Sequence, residues 1–264
     1  MNSYVSVTEL KSLLDITSTT DDSNLRKIAE GVSRTIDKYC NRNFYVTSAT
    51  KYYDQAGARL WIDDLLSIST LKTDEDSDLD YDNTFADTDY ILYPLNTYPK
   101  YYIEISNNSD YAGFGAGKKS VQIVGTWGYA DSATPYDATS ITATVADTTS
   151  LTITLSADGT VEIGHTILVG TEQMYVTGTS TGAATVLRGR NGTTASIHAA
   201  GAVSIYRYPF DIWNAASKVV TSYYQLRRNH GMKSQTLGDY SYTLSDKMFD
   251  KDTIEVLRAY RKVN

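Results

Sequence analysis

The spacing of apolar residues predicts an α+β protein: a discontinuous helical core with an antiparallel sheet, and a small all-β barrel or sandwich domain inserted into it. Helical stripes lie near both ends of the 264-residue chain. Between them run short segments rich in Val, Ile, Tyr and Thr, separated by Gly, Asn and Asp clusters. Near Pro135 the composition shifts to Thr, Ala, Gly, Val and Ile, and helical periodicity disappears. These breaks divide the chain into a core of residues 1–135 and 209–264 and an inserted β module of residues 136–208. A chain of this length buries most of the surface that unfolding would expose, so no covalent staple is required.

Ser6-Val7-Thr8-Glu9 has the spacing of a capping box and opens a short helix with Leu10, Leu13 and Leu14 on one face. A second helix carries Leu25, Ile28, Ala29, Val32, Ile36, Tyr39 and Cys40 as one stripe, with Asp21 and Asp22 placed to cap its positive end. Strand candidates follow at residues 60–62, 68–72, 89–92, 101–105 and 120–124, and the sheet they form is expected to pack on the helices. In the module, strands are expected at 151–155, 166–169, 173–177, 184–188 and 203–208, with a tight turn at Asn191-Gly192. Pro209 is suited to start a third helix, with Ile212, Ala215, Ala216, Val219, Tyr223 and Leu226 on its inner face and Gly231 at its end. A polar strand-like stretch at 238–244 then leads to a last helix bearing Ile254, Leu257 and Tyr260.

The single cysteine, Cys40, cannot form an intramolecular disulfide and fits a reducing compartment. On the helical stripe it reads as a small buried hydrophobe. The N-terminus lacks the basic flank and apolar run of a secretory signal, and no run of roughly 18 apolar residues marks a membrane span. A net charge of −7 argues against a dedicated DNA-binding surface, because such affinity comes mainly from Lys and Arg neutralising phosphates. The 22 tyrosines against 5 phenylalanines fit interfaces, where a ring buries its body and keeps a polar end wet. They equally fit strands, which favour aromatic residues.

Several stretches resemble the phage head-tail connector, or adaptor, family. They are Val7-Thr8-Glu9-Leu10-Lys11 with Ile36-Asp37-Lys38-Tyr39-Cys40-Asn41-Arg42, and Trp61-Ile62-Asp63-Asp64 leading to Leu71-Lys72-Thr73-Asp74-Glu75-Asp76. Asp89-Tyr90-Ile91-Leu92-Tyr93-Pro94 and Val121-Gln122-Ile123-Val124-Gly125-Thr126-Trp127-Gly128-Tyr129 complete the set. The insertion resembles a β module of phage structural proteins through Gly170-Thr171-Glu172-Gln173-Met174-Tyr175-Val176, Arg188-Gly189-Arg190-Asn191-Gly192-Thr193-Thr194 and His198-Ala199-Ala200-Gly201. The resemblance implies a non-enzymatic virion protein at the head-tail junction, assembled in the host bacterial cytoplasm. It implies a homo-oligomeric, typically dodecameric, ring beneath the portal protein that offers a platform to a neck, stopper or tail-terminator protein. DNA would pass through its channel without sequence-specific binding, and no cofactor or membrane is involved. A ring requires a heterologous interface with a closing rotation.

Leu237-Gly238-Asp239-Tyr240-Ser241-Tyr242 is similar to a loop that these adaptors place between their last two helices. With Ile254, Leu257 and Tyr260 it is the expected portal contact, because a polar loop and a short helix are poorly buried alone. The loop Gly113-Phe114-Gly115-Ala116-Gly117-Lys118-Lys119-Ser120 superficially suggests a P-loop, yet Ala112 and Lys119 break the pattern and a strand follows. Gly113, Phe114, Gly115, Lys118 and Lys119 are read instead as a flexible connection able to reach a neighbour or the channel. The acidic run Asp74, Glu75, Asp76, Asp78, Asp80 and Asp82 has alternating carboxylates, but Tyr81 and Asp87 stand where a calcium loop needs glycine and glutamate, so it reads as a solvated hairpin tip. His165, His198 and His230 show no metal-ligand or nucleophile-base spacing, and neither a catalytic nor a metal-binding set is expected. His198 reads as a turn or packing residue, and His230 as a partner of a helix C-terminus. Arg227, Arg228 and Lys233 read as a solvated helix end or, alternatively, as a contact to an acidic portal surface or DNA. The rival function is a receptor- or carbohydrate-binding virion protein, with Tyr175, Tyr206 and Tyr208 as stacking platforms.

Overall fold

The computed structural model describes residues 2–227, 234–237, 240–243 and 249–262. It is an α+β protein with mostly antiparallel sheets and a closed six-stranded barrel. Gly231, His230, Arg228 and Lys233, to which the sequence assigns helix-end roles, lie outside the described residues, as do Gly238 and Asp239. Two compact units form: Met1–Arg42, Ala138–Arg188 and Ala195–Asn264 make one, and Asn43–Asp137 with Gly189–Thr194 the other. Thus the helices share a unit with the barrel and the sheet forms its own, whereas the sequence places the sheet with the helices.

In the first unit, helix α1 (Val7–Leu13) begins with the expected capping box, in which Ser6 Oγ accepts from the Glu9 amide and Glu9 accepts from the Ser6 amide. Leu10 is buried, but Leu13 is 53% exposed, so the apolar face is narrower than its spacing implies. Helix α2 (Asp22–Cys40) buries Leu25, Ala29, Val32, Ile36 and Cys40 as expected, together with Glu30, Ser33 and Asp37. Asp21 makes no side-chain cap. Its Oδ2 accepts instead from Tyr224 Oη at 2.5 Å and Arg227 Nη2 at 2.9 Å, which ties α2 to helix α3 (Phe210–Leu226). These donors hold the Asp21 carboxyl below its ordinary range, the Tyr224 hydroxyl chief among them. On α3 the buried aromatic is Tyr224, while Tyr223 is 44% exposed. Ile212, Ala215, Ala216 and Val219 are buried as predicted, Val220 joins them, and only in the last turn does the inner face move on from Tyr223 to Tyr224.

The unit-two sheet contains β1 (Thr47–Ala56), β2 (Arg59–Thr73), β3 (Asn83–Phe85), β4 (Tyr90–Tyr93), β5 (Lys100–Ile105) and β6 (Ala116–Trp127). Its order is β1-β6-β2-β5-β4, with β3 also on β2. Two predicted strands merge into the long β2, whose register shifts against β5 between Trp61 and Leu65 and against β6 between Leu65 and Ser67. Strand alternation sends Leu60, Ile62, Ile103, Val121, Ile123 and Trp127 into a common core. Gly125 permits the close approach of β6 to β2: a Cβ there would lie 2.2 Å from the Ser67 carbonyl oxygen.

The barrel is built from β7 (Tyr136–Val145), β8 (Thr152–Leu155), β9 (Thr166–Val169), β10 (Glu172–Ser180), β11 (Ala183–Leu187) and β12 (His198–Tyr206), in the order β10-β11-β8-β7-β12-β9. Closure leaves no free edge. Ile141, Ile153, Ile167, Met174, Val186 and Val203 fill its interior. Asn191 and Gly192 both take positive φ, as a tight turn needs. That turn lies in the sheet unit, where the Ser48 amide donates to the Asn191 carbonyl at 2.8 Å.

The C-terminal region contains a hairpin, β13 (Ser234–Leu237) with β14 (Tyr240–Thr243), and helix α4 (Lys251–Ala259). Helix α4 is a packed element of the first unit. Leu257 is fully buried, its carbonyl accepts from Cys40 Sγ at 3.6 Å, and the Lys262 amide donates to the Cys40 carbonyl at 2.8 Å. Asp250 caps the helix by accepting from the Thr253 amide at 2.8 Å, and Lys218 Nζ reaches it at 2.6 Å.

Two outcomes follow for this end of the chain. Burial pushes the Cys40 thiol up to about 12, so a disulfide reagent at pH 8 should leave the native protein unmodified. Truncation after Ser234, which removes Leu257 and Lys262, should destabilise the fold and make Cys40 reactive. The Lys218 ammonium and the Thr253 donors hold the Asp250 carboxyl down at about 2, against 3.8 ordinarily. Its contribution is therefore complete above the unfolded value and lost as pH falls through about 2. Asp250→Ala should cost about 0.5–2 kcal/mol in urea unfolding at pH 7, with the deficit shrinking between pH 4 and 2.

Candidate interaction surfaces

A row of aromatic side chains, Trp61 exposed and Tyr93 and Tyr102 half-buried, lies on the face of the sheet opposite its core. Register aligns Trp61 of β2 with Tyr102 of β5, and Tyr102 with Tyr93 of β4. Since Leu60, Ile103 and Leu92 turn toward the core, these three neighbours must point the other way. Tyr93 and Tyr102 stack with centroids 4.8 Å apart and planes within 4°, and Trp61 stacks on Tyr101 at 6.2 Å and 7°. One register step away, Ile91, Glu104 and Arg59 form a second row. Arg59 Nε donates to Glu104 Oε1 at 2.5 Å, and its guanidinium lies 5.2 Å from the Tyr102 ring centroid. Trp61 is 62% exposed and Tyr101 43%. The row is invisible to single-strand patterning, which reads each aromatic as a strand former.

Loop 113–119 is not the flexible connection expected. Phe114 is fully buried against Phe85, and its amide donates to the Gly57 carbonyl at 3.0 Å. Gly113 also approaches Gly57 closely, and Gly115 takes a positive φ. Lys118 and Lys119 fall within β6. Lys118 Nζ pairs with Asp54 at 2.9 Å, and the Lys119 amide donates to the same carboxylate at 2.7 Å. The Lys119 ammonium sits 4.3 Å from the Tyr52 ring centroid. Of the predicted set the two lysines are exposed, Gly113 and Gly115 are half-buried and Phe114 is buried.

The acidic run connects β2 to β3. Asp74 is buried rather than solvated, and its carboxylate accepts from the Ser77 and Leu79 amides at 2.8 Å each. Carboxylate oxygens of Asp74, Asp76 and Asp78 lie within 4.8 Å of one another. Asp78 and Asp80 amides donate to Asp76 and Asp78, so backbone turns account for the convergence. Desolvation first, then the charges of Asp76, Asp80, Asp78 and Asp74, push the Asp82 carboxyl up.

In the barrel, three separate sequence stretches meet at one buried ion pair. Arg188 holds Glu172 through Nε at 2.7 Å and Nη2 at 2.8 Å, with the two side chains 5% and 0% exposed. Glu172 Oε2 also receives the Ser196 amide and His198 Nε2, each at 3.0 Å. The remaining Arg188 donors go to the Asp147, Ser150 and Ser196 carbonyls. Ser196 Oγ lies 3.1 Å from His198 Nε2, a nucleophile-base distance that sequence spacing does not reveal. Serine and carboxylate share one ring nitrogen, however, whereas a relay needs them on opposite nitrogens. The cluster is structural, and His198, half-buried at the start of β12, takes the packing role of the two expected rather than the turn.

The stacking platforms of the rival function are not formed. Tyr175 is fully buried with Oη donating to Glu30 Oε1 at 2.9 Å, Tyr206 is 4% exposed, and Tyr208 packs between Tyr4 and Tyr206. A cleft of about 350 Å³ is lined by Thr8, Asp158, Glu162 and Thr179, but its carboxylates already accept from the Gly182 amide and Ser6 Oγ. Of the expected portal-contact residues, Leu257 is core, Ile254 is half-buried, and Tyr260 is half-buried with Oη donating to Asp211 at 3.0 Å. Leu237, Tyr240, Ser241 and Tyr242 lie in the β13-β14 hairpin. No helix among the described residues is long and apolar enough to cross a membrane. No protein-family model matches this chain, and no curated protein matches it.

Glu172→Gln keeps the shape but leaves the Arg188 charge buried without its counter-ion. It should cost about 3–5 kcal/mol, read as a lower denaturation midpoint with barrel-strand amides losing hydrogen-exchange protection first.

Proposed function

We propose that this chain is a structural virion protein of a tailed bacteriophage: a head-to-tail adaptor that forms a ring beneath the portal protein and links it to the neck or tail. In this reading the helices from the two ends of the chain act as one discontinuous core. The ring surrounds the DNA channel, and a net charge of −7 lets DNA slide past without being gripped.

The observation that carries the reading is where the family-like stretches lie. Trp61-Ile62-Asp63-Asp64, Asp89-Tyr90-Ile91-Leu92-Tyr93-Pro94 and Val121–Tyr129 belong to strands of one sheet, and the Gly128 amide donates to the Asp64 carbonyl at 2.9 Å. Two of those stretches supply Trp61 and Tyr93 to the exposed aromatic row. Such a row is a recognition surface with the Trp and Tyr content of interface centres. The hairpin β13-β14 takes the place of the full C-terminal segment as portal contact, since α4 is packed within its own unit. The buried state of Tyr175 and Tyr206 removes support from the carbohydrate-binding alternative.

Image reconstruction of purified virions tests the proposal. A ring of copies between portal and tail is the expected result; copies at the distal tail tip or on the capsid exterior would overturn it.

A further inference from the structure

We infer that the turn at residues 162–165 is an acid-opened latch: protonation of His165 releases helix α1 from the barrel while α1 keeps its hold on α2 and α3. The turn leads into β9. It is tied to β10 by the Gly164 amide donating to the Val176 carbonyl and the Val176 amide donating to the His165 carbonyl, each at 2.9 Å. Two bonds join α1 to this turn. The Val7 amide donates to the Ile163 carbonyl at 2.8 Å, and Ser6 Oγ, at the helix cap, donates to Glu162 Oε2 at 2.5 Å. Gly164 brings the two segments together: its φ is +99°, and a Cβ there would lie 3.3 Å from the Val5 carbonyl oxygen.

The His165 ring closes the turn. Its Nδ1 accepts from the Glu162 amide at 3.1 Å, so the ring is neutral and carries its proton on Nε2, 3.7 Å from Glu162 Oε2. An imidazolium has no acceptor. It would set an N–H against the Glu162 amide and compete with Ser6 for Glu162 Oε2, at the two places where the turn holds its own shape and holds α1. The charged groups acting on the ring are Glu162 of its own turn and Glu9 of α1; β10 meets the turn through backbone groups. Burial outweighs both carboxylates and holds His165 below its ordinary 6.5. The latch is therefore complete above that ordinary value and lost as pH falls through the lower folded one. A cleft lined by Thr8, Val161 and Glu162 gives the turn room to move. Elsewhere α1 is held by Trp213 Nε1 donating to Glu9 Oε1 and by Lys11 pairing with Asp22, each at 2.9 Å and neither involving the ring. The latch does not rest on the adaptor reading.

NMR and amide hydrogen exchange of the isotope-labelled full chain between about pH 7.5 and about pH 5.5, the range in which histidine changes charge, test the latch. In the wild type, His165 Nδ1 should show the shift of an unprotonated acceptor at the upper pH, and the Glu162 and Val7 amides should move with the midpoint of the ring. Val7 protection, corrected for the intrinsic exchange rate, should fall about fivefold toward the lower pH, the effect of one lost hydrogen bond. Ile36, inside α2, should keep its protection. His165→Asn offers an amide oxygen in place of Nδ1 and takes up no proton, so its Val7 protection should be equal at both pH values. His165→Ala removes the acceptor and should show low Val7 protection throughout, with Ile36 reporting that each variant is folded. A protonated Nδ1 at the upper pH, a His165 titration that leaves Glu162 and Val7 unmoved, or a loss at Ile36 equal to that at Val7 would each overturn the latch on the wild type alone. His165→Asn losing Val7 protection as the wild type does would overturn it by assigning the effect to another group.

Discussion

Tyrosine hydroxyls donating to carboxylates hold the helix-barrel unit together. Tyr4 donates to Asp37 of α2, Tyr175 of the barrel to Glu30 of α2, Tyr224 of α3 to Asp21, and Tyr260 beyond α4 to Asp211 of α3. Each bond joins two elements distant in sequence. The buried carboxylates of Glu30 and Asp37 must find donors, and a neutral hydroxyl supplies a charge-assisted bond while its ring fills core volume. Burial pushes the Tyr4 and Tyr175 phenols well above their ordinary value, with Asp37 and Glu30 adding to it, so both remain donors across the physiological range. This use of tyrosine explains part of the excess of Tyr over Phe that composition alone leaves divided between interfaces and strands.

The barrel solves the same problem with a full ion pair. Glu172 opens β10, where five consecutive residues are buried. Met174 and Val176 face the barrel core, and Tyr175, on the opposite face, meets α2. A strand covered on both sides has no wet face on which a carboxylate could sit. The planar Arg188 fork satisfies both Glu172 oxygens at once, and its other donors close three carbonyls of neighbouring loops. The pair thereby fixes loops on both flanks of β11.

What could be read in the sequence was local. The Ser6–Glu9 capping box and the α2 stripe are set by contacts within one turn or one face, and both form. The strands β1 and β7 were missed because residues 47–56 and 136–145 mix Thr, Asp and Lys with few aliphatics, so their pairing is decided by partners elsewhere. Asp21 illustrates a competition that no local rule resolves: it sits where a cap belongs, but Tyr224 and Arg227, some 200 residues on, offer stronger donors. Likewise α4 reads as a short helix with no visible partner because its anchor is Cys40, on a helix at the other end of the chain.

Tyr175 and Tyr102 show why exposure, too, escapes a linear reading. Both occupy strands beside an aliphatic core residue, Val176 for Tyr175 and Ile103 for Tyr102, so the alternation assigns each a face opposite the core. For Tyr175 that opposite face is covered by α2, which consumes its hydroxyl and all of its surface. For Tyr102 the strand neighbours in register are Trp61 and Tyr93, and the three stand together on the outer face. Cross-strand pairing contributes to sheet stability through such aromatic contacts, so the row is rigid before any partner arrives. A preorganised patch loses little side-chain freedom on docking, which is the physical advantage of building a contact surface from stacked rings on a sheet rather than on a loop.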